Sequence, residues 1–151
     1  MVEDILEIAV VLGTGTTTGA LFAVALSTLP ALFAMPPDRY IYSLKLLGRN
    51  WDPTMPVIVL SSTIIAIVLA FLVPNGQAGL LYGIGAALLV AVSVISHFAN
   101  VPINKQMRKV DPENMPEDWE DPRPLWRVYH TSRTVCSFLA LGVVGWAAVL
   151  G

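Results

Sequence analysis

The sequence predicts an all-α protein: a four-helix transmembrane bundle with a short interfacial helix and a long loop between the third and fourth spans. Three observations predict it. Of 151 residues, 55% are hydrophobic and only 13% are charged, which is too apolar for an ordinary soluble domain. Four apolar segments reach or approach the ~20 residues needed to cross ~30 Å of hydrocarbon at 1.5 Å per residue. Every lysine and arginine falls between Arg39 and Arg133, leaving both ends of the chain without a basic side chain. The length suits a single integral membrane domain over residues 1–151.

The first span runs from about Ile5 to Met35. Glu3 and Asp4 precede it without a lysine or arginine, and it exceeds the ~7–15 residues of a signal-peptide core, so it reads as a transmembrane helix. Its GTGTTTG stretch (Gly13 to Gly19) lacks the lysine and the preceding strand of a phosphate-binding loop. Gly15 and Gly19 instead form a GxxxG pair, repeated by Gly79 and Gly83, which predicts close helix approach. The same faces are open to a second copy of the chain in a homo-oligomer. Pro36-Pro37 ends the span. Asp38 is then expected to cap a short helix with Tyr40, Ile41, Leu44 and Leu47 on one side and Arg39, Lys45 and Arg49 largely away from it. That pattern suits the membrane interface.

The second span, about Met55 to Val73, is opened by WDPTMP, and the third runs from about Ala78 to Ala99. Pro102 disfavours helical geometry at Val101, so the third helix is expected to kink or end there. The following connection carries Pro112, Pro116, Pro122, Pro124 and six acidic residues and resists regular structure. It reads either as a solvated loop or as a cap across the bundle mouth, with Trp119 and Trp126 favouring partial burial. The fourth span runs from about Thr131 to Leu150 and contains Cys136, the one cysteine, which reads as a free buried thiol.

Four spans place connections 36–54 and 100–130 on one side of the membrane. These connections hold eight of the nine basic residues, and Arg133 opens the fourth helix at the same side. The positive-inside rule makes that side cytoplasmic and puts both termini outside. The expected location is a bacterial cell membrane, with the lipid bilayer as a partner. A net charge of -2 and the lack of an aromatic-interleaved basic patch give no reason to expect nucleic acid.

The polar residues gather at one end. The third helix reaches the cytoplasmic side at His97 and Asn100, and the fourth starts there with His130 and Arg133, so both histidines lie at similar depth. Spacings of three and four align His97, Asn100 and Asn104 if the helix survives Pro102. Trp126, His130 and Arg133 follow i, i+4, i+7 and share a face if the fourth helix starts early enough. His97, Asn100, His130 and Arg133 are therefore expected to line one cavity. Three chemistries could use this set. A desolvated neutral histidine can remove a proton while amides and an arginine stabilise the oxyanion. A metal could bind, although two histidines are few, no His-x-x-x-His or Glu-x-x-His pair is present, and Glu7 lies at the opposite face. The set could also simply anchor lipid headgroups. Against transport, no inverted repeat and no charge at the bilayer midplane stand out.

HFANVPINKQM, the Pro- and acid-rich loop and WRVYHTSR (Trp126 to Arg133) together resemble the anthrone oxygenase-like family of small four-helix membrane proteins, noranthrone monooxygenase-like. WDPTMP fits the same pattern, and the resemblance extends over nearly the whole chain. It implies a membrane monooxygenase needing no cofactor, with dioxygen as co-substrate and a hydrophobic small molecule as substrate. Fungal relatives oxidise anthrones to anthraquinones in aromatic polyketide biosynthesis. A base removes a proton from the ring methylene, the carbanion passes an electron to dioxygen, and the peroxide collapses to a ketone. By motif match Asn100, Asn104, Trp126, His130 and Arg133 carry over as site residues, with His97 a natural sixth. His130 is the first choice as base, Arg133 would stabilise the oxyanion, and Trp126 and Tyr129 are the substrate-contact candidates. A natural-product cyclase or isomerase begins with the same proton transfer, and a non-enzymatic binding or assembly subunit is the competing class.

Overall fold

A computed structural model describes residues 1–151 and consists of five helices with no strand. They are α1 (Val2–Ala34), α2 (Pro37–Leu47), α3 (Thr54–Leu72), α4 (Gly76–Lys109) and α5 (Arg123–Leu150). All but α2 are long and apolar enough to cross a membrane. They pack as a helical bundle in chain order, α1 on α3, α3 on α4, α4 on α5, with α5 closing back on α1. The outer surface is apolar, unlike that of a water-soluble bundle, and small hydroxyl residues join the apolar interior. Ile64, Phe71, Leu80 and Val149 face outward, whereas Thr14, Thr17, Ser62 and Ser137 are buried. Lipid tails are as apolar as leucine, so large aliphatics gain little from the interior, and small hydroxyl residues let the helices approach.

The end carrying both termini is closed by Val10, Leu69, Tyr82, Ala86 and Val144. Of the four glycines in the GxxxG pairs only Gly79 is tight; the other close approaches within the spans are at Gly13 and Gly85. A Cβ at Gly79 would lie 2.9 Å from the Ala70 carbonyl oxygen, and one at Gly85 would meet Val144; one at Gly13 would collide with Ser62. At Gly15 a Cβ would sit 3.8 Å from Leu141, and at Gly19 it would meet nothing within 4 Å. Spacing marks a helix that has glycines; which of them faces a neighbour is set by the rotation of that helix in the bundle.

The third span does not end at Pro102. It continues to Lys109 because the turn before the proline, Ser96–Asn100, is π-helical. The Val101 N–H bonds the Ser96 carbonyl, five residues back. In a regular α-helix the Pro102 ring would clash with the Phe98 carbonyl and leave it without its N–H partner. A widened turn takes up that mismatch and lets the helix resume. The same device precedes Pro30 in α1, where Val24–Thr28 is π-helical and the Leu29 N–H bonds Val24.

α5 begins at Arg123, eight residues before the fourth span expected from hydropathy, with Pro122 as the N-cap and Pro124 in the first turn. Proline is tolerated there because those N–H groups lack intrahelical partners. α2 starts at Pro37, so Asp38 lies inside its first turn and makes no side-chain cap. Its apolar side faces the protein: Tyr40 and Ile41 pack on Leu32 and Met107, with Trp119 from the connecting loop against them. α2 and the irregular segment 110–122 thus cover what is here called the loop end of the bundle, tied by Lys45 Nζ donating to the Val110 carbonyl at 2.7 Å.

Candidate functional site

At the loop end the spans diverge around a cavity of about 420 Å³. All four spans and the α2–α3 connection contribute to its wall. Most of the lining is apolar, including Leu21, Leu32, Leu44, Met55, Val59 and Val92. Its polar groups are Ser93, Ser96, His97, Asn104 and Arg108 on α4, Trp126, His130 and Arg133 on α5, Thr17 and Thr28 on α1, and Asp52 in the α2–α3 connection.

The early start of α5 puts Trp126, His130 and Arg133 on one continuous helix, so their i, i+4, i+7 spacing brings them onto the cavity face. The Trp126 and His130 rings are stacked, with centroids 4.7 Å apart and planes 7° from parallel. The Arg133 guanidinium lies 5.9 Å from the Trp126 ring centroid. Its Nη2 sits 2.9 Å and its Nε 3.3 Å from His130 Nδ1. Its Nη1 donates to Ser96 Oγ at 3.0 Å, and that hydroxyl donates to the Val92 carbonyl at 2.7 Å. On the other side of the imidazole, His130 Nε2 is 3.0 Å from the Leu21 carbonyl oxygen, just before the π-helical turn of α1. His130 is fully buried.

The α4 residues separate. Asn104 accepts from Trp126 Nε1 through Oδ1 at 2.9 Å and lies on the cavity wall. His97 also lines the cavity, is exposed at its mouth and packs edge-on to Phe98 with centroids 5.0 Å apart. Asn100 does not join them. It is fully buried, outside the cavity wall, and donates through Nδ2 to the Trp126 carbonyl at 3.3 Å, while its Oδ1 has no partner. A turn closed i→i+5 holds about one residue more than an α turn, so the three-residue step from His97 to Asn100 leads off the shared face. Tyr129 is half-buried and also outside the cavity wall; as the residue before His130 it is turned about 100° from it on the helix.

Two participants carry no spacing signal. Ser96 acts only through Arg133 on another helix. Arg123 closes the site from below. Its Nη1 donates to the Leu32 and Met35 carbonyls at the end of α1 at 2.9 and 2.7 Å, and its Nε and Nη2 grip the Asp121 carboxylate. The guanidinium also lies 5.0 Å from the Tyr40 ring. Burial, and secondarily the Asp121 charge, push the Tyr40 hydroxyl up to about 12, with Arg123 opposing. Burial works to raise the Asp121 carboxyl as well, but hydrogen bonds from the Arg123 side chain and backbone outweigh it, so the group stays below the ordinary aspartate range. No group of three or more His, Cys, Asp or Glu side chains is placed to hold a metal ion.

Comparisons with curated proteins and with solved structures give no match. The family model described as Anthrone oxygenase matches residues 46–143. The matched region includes all of α3 and α4 and the part of α5 that bears Trp126, His130 and Arg133. On that match the chain belongs to the anthrone oxygenase family.

Proposed function

We propose that the protein is a membrane-embedded monooxygenase that converts the ring methylene of an anthrone-like aromatic to a ketone, using dioxygen as co-substrate and no dedicated cofactor. The observation that carries this reading is the Trp126–His130 stack with the Arg133 guanidinium beside it on the wall of an apolar cavity. The cavity volume suits a drug-sized ligand held by apolar walls and a few convergent polar groups. A flat aromatic can lie along the indole, and a guanidinium in a water-poor site stabilises an oxyanion.

The chemistry needs little more. A histidine of the cavity takes a proton from the methylene between two aryl rings, and the charge moves onto the oxygen of the carbonyl across the ring, near Arg133. The anion passes one electron to dioxygen, and the resulting radical and superoxide combine into a C–O bond. After protonation the peroxide loses the remaining carbon-bound hydrogen as a proton while the O–O bond breaks. The carbonyl forms and hydroxide leaves, to be protonated to water. The balance is CH₂ + O₂ → C=O + H₂O: the methylene carbon gives up four electrons and dioxygen accepts all four. The charge asymmetry supports placing the loop end, and hence this cavity, at the cytoplasmic side.

The test is dioxygen uptake by the purified protein in detergent with a simple anthrone. One dioxygen consumed per quinone formed, above the spontaneous rate, supports the reading. Conversion of the substrate to an isomer without dioxygen uptake would assign the site to a cyclase or isomerase.

A further inference from the structure

We infer that the two histidines divide the work: His97 is the proton acceptor, and His130 is a positioning residue that acts through Arg133. This rests on the reaction proposed above.

The chemistry of its two partners fixes the state of the His130 ring. A guanidinium has only donors, so Nδ1, 2.9 Å from Arg133 Nη2 and 3.3 Å from Nε, must accept. A backbone carbonyl only accepts, so Nε2, 3.0 Å from the Leu21 oxygen, must carry the hydrogen. One tautomer alone meets both demands: the neutral imidazole protonated at Nε2. Its single lone pair is already spent on the guanidinium, and a proton added at Nδ1 would face Arg133 donor to donor. The side chain has no solvent-accessible surface, one ring face is covered by Trp126, and both ring nitrogens are engaged.

Arg133, by contrast, keeps capacity. His130 and Ser96 hold the guanidinium from two directions, and one hydrogen on each terminal nitrogen is left over for a substrate oxygen in the cavity. His130 thereby fixes the plane of the group that meets the developing oxyanion. His97 has the complementary properties. It lines the same cavity, is exposed at the mouth, and neither ring nitrogen is hydrogen-bonded to a protein group, since the histidine hydrogen bonds all belong to His130. The wide turn at Ser96–Asn100 presents Ser96 and His97 to the cavity while sending Asn100 away from it.

Glutamine separates the roles. Its amide oxygen can accept from Arg133 and its NH₂ can donate to Leu21, but it cannot take a proton. His130→Gln should therefore stay within about tenfold of wild-type kcat, whereas His97→Gln should lose ~10²–10⁴, the usual cost of removing a general base. Added imidazole should restore turnover to His97→Ala, whose vacated site is at the cavity mouth, and should do nothing for His130→Ala. The reverse pattern overturns the assignment. The protein has two histidines, so His97→Gln leaves one imidazole for ¹⁵N NMR, a readout independent of turnover. A single protonated nitrogen at Nε2 is expected; an Nδ1–H or doubly protonated ring overturns the positioning role even if His130→Gln fails to fold. Absence of dioxygen uptake by the wild type would instead sink the reaction and the role of His97 with it, while the spectrum would still decide the tautomer.

Discussion

Arg123 shows how one side chain can hold a site without touching it chemically. It donates to two carbonyls at the end of α1, that of Met35 and that of Leu32, which also accepts from the Met35 N–H at 3.4 Å, and Leu32 lines the cavity. Hydrogen bonds to a charged group are worth about 1.5–3 kcal/mol each, and a broken buried pair leaves its partners stranded. Arg123→Ala should therefore lower stability by about 3 kcal/mol, read as a depressed thermal midpoint in detergent; an unchanged midpoint would refute the clamp. Tyr40, packed on that arginine, gives a pH signature. Its raised hydroxyl contributes stability that is complete below the ordinary tyrosine range near 10 and is lost as pH climbs from about 10 to about 12. Tyr40→Phe should match wild type at neutral pH and be more stable near pH 11, by about 2 kcal/mol at most. Equal melting of the two across that range would contradict it. Trp126, His130 and Arg133 were legible from spacing because they share one helix. Ser96 and Arg123 were not, because what they bind belongs to other helices and only packing brings it near.

Helix boundaries follow a similar division. Hydropathy located the four spans, since burial in hydrocarbon depends on average composition over ~20 residues. It missed the first eight residues of α5 and the last turns of α4, where charged and polar residues lower the average below that of a span; Ile103 and Met107 of α4 pack there against α2 and Trp119. Proline chemistry argued that the helix would kink or end at Val101; it does not end there, because a π-helical turn takes up the clash. If that turn exists to accommodate Pro102, Pro102→Ala should let it relax toward regular α geometry. The thermal midpoint should hold or rise, while kcat falls at least tenfold because Ser96 and His97 are rotated relative to α5. A variant with wild-type turnover would show the turn to be independent of the proline. Glycine positions give a second check. Gly79→Ala places a methyl against a backbone oxygen at 2.9 Å and should destabilise by about 1–3 kcal/mol, as overpacking does. Gly19→Ala meets open space and should be neutral or stabilising by up to ~1 kcal/mol. Equal melting points would contradict the packing described.

Over the whole molecule, charge and the candidate site fall at the same end. The basic residues, the cavity and the covering helix α2 share the loop end, while the terminal end is closed by apolar side chains and close-packed glycines. The bundle architecture was readable from composition and charge, whereas the cavity was not, because a void arises from how helices diverge and leaves no trace in any one segment. In the proposed orientation a cysteine replacing Glu113, in a Cys136→Ser background, should label with an impermeant reagent only from the cytoplasmic side. Labelling from outside would invert the topology. The reaction itself is tested most directly by following oxygen atoms. Under ¹⁸O₂ in ordinary water, the purified protein should give a quinone carrying one ¹⁸O at the former methylene, with the second atom released as labelled water. A ketone oxygen drawn from the solvent, or a product formed at the same rate with dioxygen excluded, would contradict the account.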